Sequence, residues 1–323
     1  MTRLAFLFPG QGSQYPGMGR ELAERCPEAR AVFDEADQAL GFPISRLCFE
    51  GPEEQLKLTE NTQPAILTVS VAAWRVLEKR GVAPDYVAGH SLGEYSALVA
   101  AGGLAFSDAV VTVRKRGRYM QEAVPVGTGA MAAITRFPLT QLEEVCREAA
   151  QGEVVSPANI NSPDQIVISG HAAAVARAVE LAKQRGAKRA LLLPVSAPFH
   201  CALMRPAQQR LAADLETLAF RDLRFPLVNN LAAWPIRAAE EARAGLIGQV
   251  SAPVLWEQSI RKLIELGATT FVEVGPGKVL CGLLRQIDPS VTGLQVQDET
   301  TLAATLQAVQ GSKGPKAQGQ TRA

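Results

Sequence analysis

An α/β fold, built on a mainly parallel sheet and carrying a small inserted domain, is what the sequence predicts. Three observations lead there. Short apolar runs ending in glycine or turn residues alternate with longer stretches at helical spacing, the signature of βα units. The stretch 128–196 changes texture and reads strand, helix, strand, strand, helix, strand. A Gly-x-Ser-x-Gly turn, Gly89-His90-Ser91-Leu92-Gly93, stands between an apolar strand and a helical run.

Strands of the large domain are expected at 4–8, 86–89 and 270–274, each a short apolar run closed by Pro-Gly, Gly or Gly-Pro. The segment 64–80 reads as a helix. Ile66, Val69, Ser70, Ala73 and Leu77 share one face, and Glu78, Lys79 and Arg80 close the last turn before Gly81. In the middle, strands at 131–135, 154–159, 165–169 and 190–195 enclose helices at 139–150 and 172–185, the βαββαβ order of a ferredoxin-like unit. The expected organisation is a large, α/β-hydrolase-like catalytic domain with a mainly parallel sheet (1–127 and 197–310), interrupted by a ferredoxin-like domain (128–196). Residues 311–323 hold no acid and no large apolar side chain, and are expected to be a disordered basic tail.

The 323 residues are 47% apolar and 20% charged, enough to bury a sizeable core. Net charge is +1, which offers no broad basic field for nucleic acid or an anionic membrane. The five cysteines (Cys26, Cys48, Cys146, Cys201, Cys281) are odd in number and form no CxxC pair, so they read as reduced thiols rather than a disulfide framework or zinc site. No run of about 18 apolar residues occurs, and 4–8 is too short for a signal-peptide core. A cytoplasmic, monomeric protein is expected.

The Ser91 turn carries the chemistry. Its glycines remove side chains that would collide in so sharp a bend, Ser91 projects from it, and the Leu92 amide points where an oxyanion would form. A serine hydroxyl needs a base, and the chain has three histidines: His90, His171 and His200. His90 lies within the turn and should point away from Ser91, while His171 follows Gly170 at a helix start and suits a surface or capping role. His200, in Ser196-Ala197-Pro198-Phe199-His200, can be carried over the sheet by its loop.

Arg116 is the other informative residue. On a helix at 100° per residue, Ala109, Val110, Val113, Gly117 and Met120 form one apolar face, and Arg116 falls in its middle. An inward guanidinium requires a partner, either an internal Asp or Glu or a substrate carboxylate. Two glycine loops invite a nucleotide reading and fail it. Gly127-Thr128-Gly129-Ala130-Met131-Ala132 follows a helix and precedes a strand, the reverse of a dinucleotide fingerprint. Gly275-Pro276-Gly277-Lys278-Val279 lacks the earlier glycine and the Ser or Thr of a phosphate loop.

With these residues in place, the chain resembles the malonyl-CoA:acyl-carrier-protein transacylases of bacterial fatty acid synthesis and, more distantly, the acyltransferase domains of polyketide synthases. The resemblance covers nearly the whole chain. It rests on Phe8-Pro9-Gly10-Gln11-Gly12-Ser13-Gln14, on Gly89 to Tyr95, and on Arg116-Gly117 followed by Gln121-Glu122-Ala123-Val124-Pro125. Ala158-Asn159-Ile160-Asn161-Ser162-Pro163, Pro198-Phe199-His200 and Glu273 to Leu280 continue it. It implies Ser91 as nucleophile, His200 as base, and Gln249 holding His200 through its main-chain carbonyl. It implies Gln11 and Leu92 as oxyanion amides, Arg116 as the group that binds a malonyl carboxylate, and Phe199 as a restriction on α-substituents. The implied substrates are malonyl-CoA and an acyl carrier protein, of fatty acid or polyketide synthesis, with no cofactor. Lys188, Arg189 and Arg285 read as solvated charge first and carrier contacts second. A serine thioesterase would use the same Ser91 and His200 without needing an inward Arg116.

Overall fold

Apolar runs bounded by turn residues become the strands, and the computed structural model describes residues 3–195 and 197–311. The strands are β1 (Arg3–Phe8), β2 (Tyr86–Gly89), β3 (Gly129–Thr135), β4 (Val155–Ser162) and β5 (Gln165–His171). They continue as β6 (Arg189–Leu192), β7 (Leu227–Val228), β8 (Pro235–Ile236), β9 (Ala268–Val274) and β10 (Thr292–Val296). The fold class is the one expected, an α/β large domain with a second, separate sheet.

The large sheet has the order β10-β9-β1-β2-β7-β8, and all its pairs are parallel except β7 with β8. Helices cover both faces, so Ala5, Phe6, Leu7 and Phe8 run without polar interruption and are fully buried. Register sets Phe8 beside Gly89 and Leu7 beside Glu273. The carboxyl ends of β1, β2 and β9 therefore align, and the loops that follow them converge at one edge of the sheet.

The small sheet is antiparallel throughout, in the order β4-β5-β3-β6. Its period of two divides its labour. Ala132 and Ile134 pack with Leu142, Val145, Val175 and Ala178 of helices Leu139–Ala150 and Ala172–Gln184. Met131, Ala133 and Val167 on the opposite face turn toward the large domain and line the cavity described below.

Several expectations need correction. The helix expected from 64 begins at Thr59 and ends at Lys79, with Pro64 inside it. Proline suits a first turn, which drew the predicted start too late. The true start is fixed by side chains instead: Thr62 Oγ1 donates to the carbonyls of Leu56 (2.6 Å) and Leu58 (3.0 Å). The strand expected over 190–195 is Arg189–Leu192, because Pro194 cannot extend the ladder. Strands β7, β8 and β10 were not anticipated; the first two have only two residues each and leave no periodicity to read. The tail expected at 311–323 lies outside the described residues except Gly311, the last residue of helix Glu299–Gly311. All five cysteines are free thiols. No helix among the described residues is long and apolar enough to cross a membrane.

Candidate active site

The turn after β2 is as sharp as its glycines imply. A Cβ on Gly89 would sit 2.0 Å from the Gly93 carbonyl, and one on Gly93 would sit 2.0 Å from the Phe8 carbonyl oxygen. With both side chains absent, helix Gly93–Ala100 starts directly against β1. Ser91 takes the left-handed conformation (φ 51°), a strain of about 1–3 kcal/mol that its surroundings must hold in place. Asn230 does this holding. Its Oδ1 accepts from the Ser91 amide at 2.7 Å and its Nδ2 donates to the Gly89 carbonyl at 2.7 Å.

Ser91 Oγ lies 2.7 Å from His200 Nε2, and His200 Nδ1 lies 2.9 Å from the Gln249 carbonyl oxygen. A carbonyl can only accept, so Nδ1 carries the proton and Nε2 presents its lone pair to the serine hydroxyl. A main-chain carbonyl thus stands where an acid completes the usual triad. His200 is itself left-handed (φ 59°) and buried. Burial foremost, and then the Arg116 charge, push its pKa down to about 3, against the opposing pull of the Gln249 carbonyl. The ring is neutral, and therefore basic at Nε2, throughout the physiological range.

Arg116 reaches the same point from helix Phe106–Glu122. Gly117 makes this possible: a Cβ there would lie 2.6 Å from the Thr59 carbonyl oxygen, so the helix can close onto the start of helix Thr59–Lys79. Arg116 is 2% exposed, with Nη1 donating to Gln63 Oε1 (2.7 Å) and Nη2 to Gln249 Oε1 (2.9 Å) and Ser91 Oγ (3.1 Å). Its Nε has no hydrogen-bond partner, and no Asp or Glu forms an ion pair with it among the described residues. Of the two partners open to an inward arginine, an internal acid in direct contact is absent. Burial lowers its pKa, while Tyr95 and Glu94 oppose that shift.

A cavity of about 530 Å³ lies between the two sheets, and Gln11, Ser91, Arg116, Phe199, His200 and Asn161 are among the residues that line it. Phe199, 8% exposed, lines this cavity immediately before His200 in the chain. Leu92 and Gln249 are buried behind this surface. Neither the Leu92 nor the Gln11 amide is hydrogen-bonded to another described residue. Gln11 sits on the loop after β1, adjacent to the Ser91 turn. Of the other histidines, His90 turns to Asn161 Oδ1 (Nε2 at 2.8 Å) and packs against Trp256, and His171 Nδ1 accepts from the Val154 amide.

The chain matches the acyl transferase domain family over residues 5–310. It belongs to the acyl transferase family. The malonyl CoA-acyl carrier protein transacylase of Bacillus subtilis is 49% identical over 96% of this chain and 98% of its own, and that of Escherichia coli K12 is 48% identical over 95% and 100%. A type II polyketide synthase acyl-carrier protein in complex with its malonyl-transacylase superposes with a TM-score of 0.93 at 46% identity, covering 95% of this chain and all of that one. The transacylase of Coxiella burnetii gives 0.93 at 45%, covering 95% and 97%.

For a member of this acyl transferase family, sequence reasoning left four polar residues of the site without a role: Gln63, Glu94, Asn161 and Asn230. Glu94 and Asn161 lie inside quoted motifs, and Gln63 sits one residue before the predicted helix start. Asn230 stands in Val228-Asn229-Asn230, where a buried run ending in two amides was the only signal.

Proposed function

We propose that this chain transfers malonyl from malonyl-CoA to the pantetheine thiol of an acyl carrier protein of fatty acid synthesis, through a malonyl-Ser91 ester. One observation carries the choice of acyl group. A buried guanidinium without a carboxylate partner donates directly to the nucleophile at 3.1 Å, so a carboxylate that takes over this hydrogen bond brings the acyl carbon two bonds away from it next to Ser91 Oγ.

Ser91 Oγ attacks the thioester carbonyl while its proton passes to His200 Nε2. The oxyanion is received by the Leu92 and Gln11 amides, each typically contributing about 3 kcal/mol. Collapse breaks the C–S bond, His200 returns the proton to sulfur, and coenzyme A leaves as the thiol. In the second half the pantetheine thiol gives its proton to His200 and attacks the Ser91 ester. The C–O bond breaks, and Oγ recovers the proton. Exchanging one thioester for another is close to balanced, so positioning rather than driving force limits the rate. The steps balance without a cofactor. When the carboxylate binds, Arg116 Nη2 transfers its hydrogen bond from Ser91 Oγ to substrate, which frees the serine lone pair at the moment it is needed. Phe199 crowds the α-carbon and disfavours methylmalonyl. We take the protein to act in the cytoplasm as a monomer.

Replacing Arg116 with alanine tests the reading. Malonyl transfer should fall roughly 100-fold or more while acetyl transfer is kept or rises, since only the diacid loses a charge-assisted contact. Equal loss of both would contradict it. Offering carriers from fatty acid and polyketide systems in competition tests the pathway, and preference for the polyketide carrier would contradict it.

A further inference from the structure

Beneath the dyad lies a buried carboxylate that the mechanism above does not use. Glu94, 1% exposed in the first turn of helix Gly93–Ala100, directs Oε2 at two donors: the Asn230 amide (2.9 Å) and Gln249 Nε2 (2.9 Å). Gln249 is the hinge of the site. Its main-chain carbonyl holds His200, its Nε2 also donates to the Ser91 carbonyl (3.0 Å) and lies 3.2 Å from Asn230 Oδ1, and its Oε1 accepts from Arg116 Nη2. A primary amide can be turned end for end at little steric cost. Turned the wrong way, it would set an N–H against the guanidinium and a carbonyl against Glu94, the Ser91 carbonyl and Asn230 Oδ1. All three of those neighbours are acceptors, so every contact would repel.

We propose that Glu94 is a positioning residue for the diacid specificity of this site: by accepting from Gln249 Nε2 it locks the amide so that Oε1 aims Arg116 at Ser91. The inference rests on the assignment of Arg116 to the substrate carboxylate. The role is one of orientation rather than charge, because the contact requires only an acceptor at Oε2. The other oxygen, Oε1, has no hydrogen-bond partner. A carboxyl proton on Oε1 would leave the contacts of Oε2 intact, and burial raises the Glu94 pKa to about 7, so such a proton is accessible near neutrality. Asn230 shares the same acceptor, which couples the clamp on the strained serine to the aim of the arginine.

The test is the ratio of malonyl to acetyl transfer, measured as kcat/KM for each, because a merely structural loss lowers both alike. Glu94→Ala should reduce this ratio by roughly tenfold or more, as removal of outer partners that orient functional groups commonly does. Glu94→Gln, which keeps an acceptor oxygen, should hold the ratio within about threefold. Gln249→Met retains the main-chain carbonyl but removes the relay, so it should reduce the ratio by itself, and adding Glu94→Ala to it should lower the ratio no further. If Glu94→Ala does not fold, Gln249→Met carries the measurement. Equal loss of malonyl and acetyl transfer in Glu94→Ala or Gln249→Met, a Glu94→Gln variant as unselective as the alanine, or additive effects in the double variant would each overturn the proposal. Arg116→Ala, run beside them, separates the failures. A ratio unchanged there removes both readings, whereas a ratio that collapses there but not in Glu94→Ala removes this one alone.

Discussion

Two turns in this molecule look alike in sequence and differ in what they do. Each follows a parallel strand of the large sheet, each is rich in glycine, and each opens a helix: Gly89 to Gly93 after β2, and Gly275 to Lys278 after β9. The second turn is closed from within. Glu273, fully buried at the end of β9, accepts from the Leu280 (3.1 Å) and Cys281 (2.8 Å) amides of its helix, and Gln297 Oε1 takes the Gly277 amide at 2.8 Å. The Gly275, Gly277, Leu280 and Cys281 amides are therefore spent within the fold rather than offered to an anion. At Ser91 the internal acceptor, Asn230 Oδ1, takes the serine amide alone among those of the turn, and the next amide, on Leu92, makes no such bond within the described residues. What separates a structural turn from a reactive one here is which donors the protein has already satisfied.

That contrast can be broken by mutation. Ser91→Ala should lower transfer roughly 10⁴-fold or more, since His200 and the oxyanion amides then act on no nucleophile; a steady-state assay reads this. Gly93→Ala forces a Cβ onto the Phe8 carbonyl, a fixed main-chain atom, and should cost about 3 kcal/mol in thermal or urea unfolding together with most activity. Glu273→Gln weakens the closed turn by about 1–3 kcal/mol in unfolding experiments, while transfer per folded molecule should be unchanged. The smallest effect is on pH dependence. The neutral His200 ring is the active form, and its pKa is depressed to about 3, so single-turnover acylation should stay nearly flat as pH falls through 6.5. An acid limb centred near 6.5 would show that the ring is not held neutral as described.

The parts of this site that could be read from sequence share a physical property: each announces itself locally. Ser91 sits between two glycines whose absence of side chains only a collision-prone turn requires, and Arg116 interrupts an apolar helical face at 100° spacing. His200 was reachable by elimination, there being three histidines. The partners of Arg116 were not legible, because Gln63 and Gln249 are neutral amides 53 and 133 residues away whose orientation only packing determines. Glu94 was hidden for another reason: an acid in the first turn of a helix is ordinary, favourable surface chemistry, and nothing local tells that this one is buried. In the fold, βα periodicity and the βαββαβ order were visible, whereas two-residue strands such as β7 exist only through their neighbours.

Mass spectrometry of the intact protein after exposure to malonyl-, methylmalonyl- and acetyl-CoA examines the central claim, a carboxylate-selected acyl group carried on Ser91. The expected result is one malonyl adduct on Ser91, in excess over the other two acyl groups, discharged by a carrier protein and absent in Ser91→Ala. Hydrolysis of malonyl-CoA as fast as its transfer, or an adduct that persists without Ser91, would contradict it.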